Sequence, residues 1–219
     1  MGAMGAQLCS VRGDVTMVDA AIIPPADRQH VAERVGERLS HSKLVEGPEG
    51  GLELGEAFFV HVLRSAAIAG HRRLRRLGSR PLKVPYLHFQ IRRIGAGVLA
   101  AHAHPDQDGW QIGNLFGAAL APKIAAAISW IDQHYPEDGE ARLLLVPERS
   151  VVAFWIKQAR RDRIVLVSGG QGDAGPSTEK SYTVHAFLKA LFGDYSTIRS
   201  AKRSRREKGS SRTEARRSR

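Results

Sequence analysis

VPYLHFQIRRIGAGVLAAHAH, residues 84–104, holds two alternating runs around a glycine-rich centre. In the first run Leu87, Phe89 and Ile91 share one side and His88, Gln90 and Arg92 the other, which is the period of a half-buried strand. Gly95-Ala96-Gly97 allows a tight reversal, and Val98 to His104 runs back as the partner strand. A three-residue loop pairs Ile94 with Val98, Gln90 with His102 and His88 with His104. In that register Leu99, Ala101 and Ala103 join the apolar side, while His88, Gln90, Arg92, His102 and His104 gather on the polar side. A one-residue slip would undo the sorting.

Working outward, Arg142–Val146, Val151–Ile156 and Arg163–Val167 are three short apolar runs divided by turn residues, which predicts a three-stranded antiparallel meander at about 142–167. Val151–Ile156 is apolar on both sides and belongs in its middle. Helices are predicted after Pro24-Pro25-Ala26-Asp27, where Asp27 is placed to cap and Val31, Val35 and Leu39 recur at spacing four. Asn114 to His134 reads as two helical pieces divided at Pro122, the second with a stripe of Ile124, Ile128 and Ile131. A last helix, Thr183 to Phe192, points Val184, Phe187, Leu188 and Leu191 inward. From Gly55 to about Leu77, Phe59, Leu63, Ala66, Gly70, Leu74 and Leu77 also follow a helical stripe. On such a helix Arg72, Arg73, Arg75 and Arg76 fan over about 160° of arc opposite the two leucines. Part of that cluster complements the helix C-terminus.

The sum is an α+β fold in a single domain: a β-hairpin at about 84–104 and a meander at about 142–167, covered by helices. Whether the two share one sheet is left open by the pattern. Residues 1–23 are expected to be poorly ordered or peripheral, 24–196 to form the domain, and 197–219 to be a disordered basic tail. That tail holds ten Lys or Arg and two Glu, and almost nothing to bury.

Charge is the sharpest functional signal. Of the formal net +11, a large share sits between Ala57 and Pro105, which contain nine Lys or Arg and no acid, and in the tail. Such a distribution fits a polyanion, because releasing condensed counterions from a phosphate backbone needs charge but no shape. Arg72, Arg73, Arg75, Arg76 and Arg92 are the candidate anion-binding residues, with Lys202 to Arg219 as an arm. The tail has no aromatic residue for base stacking, so little sequence selectivity is expected. The reading is a non-enzymatic binding module for anionic partners, nucleic acid among them, without a cofactor. A protein-interaction domain without chemistry is the plainer alternative.

A second alternative is a mononuclear metal-dependent hydrolase. His102 and His104 project from one side of a strand, so they can share a zinc ion, with His88 and Asp106 as further ligands. The run His102-Ala103-His104-Pro105-Asp106-Gln107-Asp108 resembles the metal-binding signature of metallo-β-lactamase-type hydrolases, with Gln107 where that family has a histidine. Ala103-His104-Pro105-Asp106 is also similar to the Ala-His-Pro-Asp-Asp motif of N-acetylglucosaminyl deacetylases, with Gln107 in place of an aspartate. Each resemblance is confined to this run, and neither family is adopted.

Other chemistries find no footing. Gly95-Ala96-Gly97-Val98-Leu99-Ala100 lacks room before Pro105 for the helix that a dinucleotide site requires. No Gly-x-Ser-x-Gly turn occurs, and the single cysteine, Cys9, allows no internal disulfide. With no apolar run of membrane-spanning length and no secretory pattern, a cytoplasmic protein with no membrane association is expected.

Overall fold

The computed structural model describes residues 21–41, 52–93, 97–107, 109–116, 119–135, 139–169 and 181–195. They form a mixed α/β structure: one eight-stranded sheet with helices on both faces. In chain order the elements are α1 (Pro25–Ser40), β1 (Leu52–Val62), α2 (Ser65–Ile68), β2 (Leu82–Arg93), β3 (Gly97–Asp106) and β4 (Gly109–Phe116). After these come α3 (Ala121–His134), β5 (Glu140–Val146), β6 (Val151–Lys157), β7 (Arg163–Ser168), β8 (Ser181–Thr183) and α4 (Val184–Phe192). No described helix is long and apolar enough to cross a membrane.

Strand order is β4-β3-β2-β1-β5-β6-β7-β8. From β1 the chain meanders to one edge through β2, β3 and β4. α3 then carries it back, so that β5 enters beside β1 and parallel to it, and the chain meanders to the other edge. Only β1 and β5 are parallel, and a parallel pair needs such a crossover. β1 is therefore what joins the hairpin and the meander into one sheet.

The helix expected over Gly55–Leu77 is not formed: its first part is β1 and only Ser65–Ile68 is helical. β1 is covered on both faces, with Phe58 and Val60 on one side and Ala57, Phe59 and His61 on the other. A strand buried twice over loses its alternation and reads as a continuous apolar run, which a helical period also fits. The first helical piece expected from Asn114 is likewise replaced, by β4. The second is α3, with Pro122 in its first turn and Ile124 and Ile131 buried. Asp27 lies within the first turn of α1 and does not cap it; Pro24 occupies the N-cap position.

The hairpin forms, but over 82–106 and in another register: His88 faces His102, Gln90 faces Ala100 and Arg92 faces Val98. The partner strand has slid by two residues, an even number, so both faces keep their expected residues. The meander forms over 140–168 and continues into β8.

Three apolar clusters hold the layers together. α3 packs Ile124, Ala127 and Ile131 on one face, against Phe58, Val60, Leu143, Phe154 and Val165. On the other face α1 seats Val31 and Val35 on Leu87, Phe89, Ile91 and Leu99. Beside it α4 seats Val184, Phe187, Leu188 and Leu191 on Leu144, Ala153, Trp155 and Leu166, with Thr183 Oγ1 accepting from the Ala186 amide at its start. Residues 1–20, most of the Gly169–Pro176 loop and the 197–219 tail lie outside the described residues, but Ala21 is buried and its amide donates to the Ala57 carbonyl.

Candidate functional site

Between α2 and β2 the chain is irregular and is pinned by a few strong contacts. Leu74 and Leu77 insert into the α4-side core, while Arg72, Arg73, Arg75 and Arg76 are exposed. The backbone is held where the leucines enter: the Leu74 amide donates to Tyr195 Oη (3.1 Å) and the Leu77 amide to Asp162 Oδ2 (2.8 Å). Glycines at φ +76° (Gly70) and +59° (Gly78) bracket the segment, in a region that side chains with a Cβ disfavour. The arginines thus face outward as expected, but on a pinned loop instead of a helix end.

Asp162 is the organising residue of this surface. Its side chain is 1% exposed and accepts from the Leu77 amide, from Trp155 Nε1 (2.9 Å) and from Arg76 Nε (3.3 Å). Arg76 also donates to the Ala159 carbonyl (3.3 Å), which ties the arginine loop to the β6–β7 turn. That turn exposes Arg160 and Arg161. Two loops distant in sequence therefore meet, and both carry exposed arginines: Arg72, Arg73, Arg75 and Arg76 on one, Arg160 and Arg161 on the other. The sequence reading missed the second set, although Arg160-Arg161-Asp162-Arg163 is visibly basic; nothing in the sequence singled out Asp162.

Arg92 is exposed but stands apart. It lies in β2, opposite Glu53 of β1, with β1 and β5 between it and β6, and its side of the sheet is the one that α3 covers. The tail lies outside the described residues, which end at Tyr195. Tyr195 is buried, and its hydroxyl takes the Leu74 amide and pairs with His185 Nδ1 (2.8 Å), so this residue sits beside the arginine loop.

The alternation places His88, His102 and His104 on the polar side of the hairpin, and the structure buries the first two. His88 and His102 sit opposite each other under the α3 side, with ring centroids 5.3 Å apart and edge to face. Tyr86 stacks on His102 at 4.7 Å, and Gln90 Nε2 lies 3.1 Å from His88 Nε2. As the amide nitrogen can only donate, His88 Nε2 is the acceptor and the ring is neutral. Burial lowers the His88 pKa to about 3, with His102 adding to the effect, and lowers that of His102 to about 4. His104 is only partly buried, and Asp106 accepts from Gln111 Nε2. Among the described residues no group of three or more His, Cys, Asp or Glu is placed to hold a metal ion.

A third imidazole, His61, is buried on the opposite face against Trp155, with ring centroids 5.5 Å apart. Burial, then the neighbouring Arg142, brings its pKa to about 4. Arg142 lies over the Trp155 ring and is held by Glu140 through two bonds of 2.7 and 2.5 Å. These contacts neutralise Arg142 locally, so it adds little to the exposed basic surface. No protein-family model matches the chain, and neither a curated protein nor a solved structure matches it significantly.

Proposed function

We propose that the protein is a non-enzymatic binding module for anionic polymers, with nucleic acid as its partner. The observation that carries this reading is the pairing of two arginine-bearing loops through Arg76 and the buried Asp162. Asp162 spends its charge inside the fold, on a main-chain amide, an indole and one guanidinium. Arg72, Arg73, Arg75, Arg160 and Arg161 make no ion pair among the described residues. A duplex or single strand laid across the surface would meet exposed guanidinium groups, each suited to bidentate contact with phosphate oxygens. The basic tail follows Tyr195, which is bonded to Leu74, and would extend the same footprint. Backbone contacts of this kind give affinity with little sequence preference. The single cysteine fits a reducing compartment such as the cytoplasm.

Fluorescence anisotropy with labelled DNA of random sequence, titrated across salt concentrations, tests the reading. With about four phosphate contacts, affinity falls on the order of a hundredfold between 50 and 200 mM salt. The triple variant Arg72→Ala, Arg73→Ala, Arg75→Ala weakens binding similarly to all sequences. Binding that ignores salt, or that the triple variant leaves intact, refutes the assignment.

A further inference from the structure

Among the described residues β4 is one of the two edges of the sheet and the longer of them, with eight residues against three in β8. An open strand edge presents unpaired N–H and C=O groups, and proteins commonly blunt it with charge or proline. Gly109–Phe116 contains neither a charged residue nor a proline. Its register with β3 is regular from Gly109 to Ile112, and an irregularity follows before Leu115.

Beside that regular run lies a cleft of about 450 Å³, walled by Arg34, Glu37, Arg38 and His41 at the C-terminal end of α1 and by Trp110 and Ile112 of β4. Contacts outside the cleft fix both walls. Arg28 of α1 donates to the Leu54 and Gly55 carbonyls (2.6 and 2.7 Å). Trp110 packs edge-on against buried Phe89 (6.1 Å). His30 rests so closely on Gly109 that any Cβ there would overlap its ring. An open edge next to a helix with a groove between them is the arrangement in which sheet augmentation binds extended peptides.

Charge selects the occupant. Glu37 is taken up by Arg34 (3.0 Å), while Arg38 makes no ion pair among the described residues and His41 stands beside it. A second copy of the chain paired antiparallel through β4 would add a second unpaired Arg38 to the same edge and, among the described residues of the cleft, no free carboxylate to meet it, which is unfavourable. We propose that β4 and its cleft bind an extended acidic peptide as a ninth strand. Apolar side chains of the peptide lie on Trp110 and Ile112, and its carboxylates reach Arg38 and His41. This site is separate from the arginine surface on the β5–β8 side of the sheet.

The test uses the full chain and a fluorescein-labelled octapeptide of valine and threonine carrying two glutamates, with a copy in which lysines replace the glutamates. The acidic peptide binds, and the lysine copy binds more weakly by about tenfold or more. Arg38→Glu, an exposed change that leaves the fold intact, costs a similar factor. Amides of Trp110 and Ile112 gain protection from hydrogen exchange on binding. The Arg72→Ala, Arg73→Ala, Arg75→Ala variant keeps full peptide affinity, which separates this site from the polyanion surface. The proposal is overturned if the acidic peptide does not bind, if the lysine copy binds equally, or if the β4 amides stay unprotected. Concentration-dependent dimerisation that protects the same amides without peptide would give the edge to a second copy and overturn it too.

Discussion

Asp162 shows how one residue serves both the fold and the surface. Its carboxylate accepts from a buried indole and a buried main-chain amide, so removing it leaves two desolvated donors without partners. Asp162→Ala is expected to cost about 2–4 kcal/mol in urea unfolding, whereas Asp162→Asn keeps one acceptor and costs less. Equal, small losses for the two would mean that water replaces the carboxylate. The buried imidazoles set the acid side of stability. His61, His88 and His102 are uncharged in the fold, with pKa values of about 4, 3 and 4. Released on unfolding, each returns to about 6.5. The unfolded chain therefore binds more protons below that value, and the contribution is complete above pH 6.5 and lost as pH falls from there towards 4. His88 and His102, the more deeply buried pair, each add a slope of at most about 1.4 kcal/mol per pH unit within that window, and His61 adds less. In unfolding measurements at pH 7, 6 and 5, His102→Gln should show a shallower decline than the unmodified chain, and an unchanged slope would contradict the burial argument.

At the scale of elements, legibility followed exposure. The strands of the 84–104 hairpin each show one apolar and one polar face, so their alternation was readable, and the two-residue slide in register left it intact. α4 was readable for the same reason, since its inward side chains repeat at helical spacing over one face only. β1 was not, because helices and loops cover both its faces and a local pattern carries no trace of what lies across a sheet. β4 was hidden by Gly113 and Asn114, which weaken its strand signal where the register with β3 breaks. Two elements invite direct tests. Phe187 is fully buried between α4 and the sheet, and Phe187→Ala is expected to cost about 3–5 kcal/mol, read from the midpoint of chemical denaturation. Gly109 holds φ at +108° where His30 of α1 closes on the β3–β4 turn, so Gly109→Ala meets both backbone strain and overlap. A loss of about 1–3 kcal/mol is expected, with α1 displaced from β4. A neutral result would show that helix and turn are not in firm contact.

Across the whole molecule, the candidate surface depends on contacts between segments far apart in the chain. The outward-facing Arg72–Arg76 run was visible from its flanking leucines, but its neighbours were not, because 83 residues separate Arg76 from the Ala159 carbonyl that it binds. Arg92 is the converse case: it is close to the arginine run in sequence, yet three strand positions from β6 and on the other face. The salt dependence of polyanion binding can test this geometry more directly than affinity can, since its slope counts neutralised phosphates at about 0.9 per contact. Arg160→Ala with Arg161→Ala should therefore lower the slope by up to about 1.8, and Arg92→Ala should not change it. Both arginines of the turn are exposed, so folding should tolerate the double change, and near-ultraviolet circular dichroism can verify that it does. If the turn and the arginine run act as one surface, their effects on the slope add, because each side chain meets its own phosphate on a common strand. An Arg160/Arg161 variant with the slope of the unmodified chain would instead confine binding to the arginine run and the tail. A fall in slope on changing Arg92 would show that the polymer wraps around the sheet to its other face.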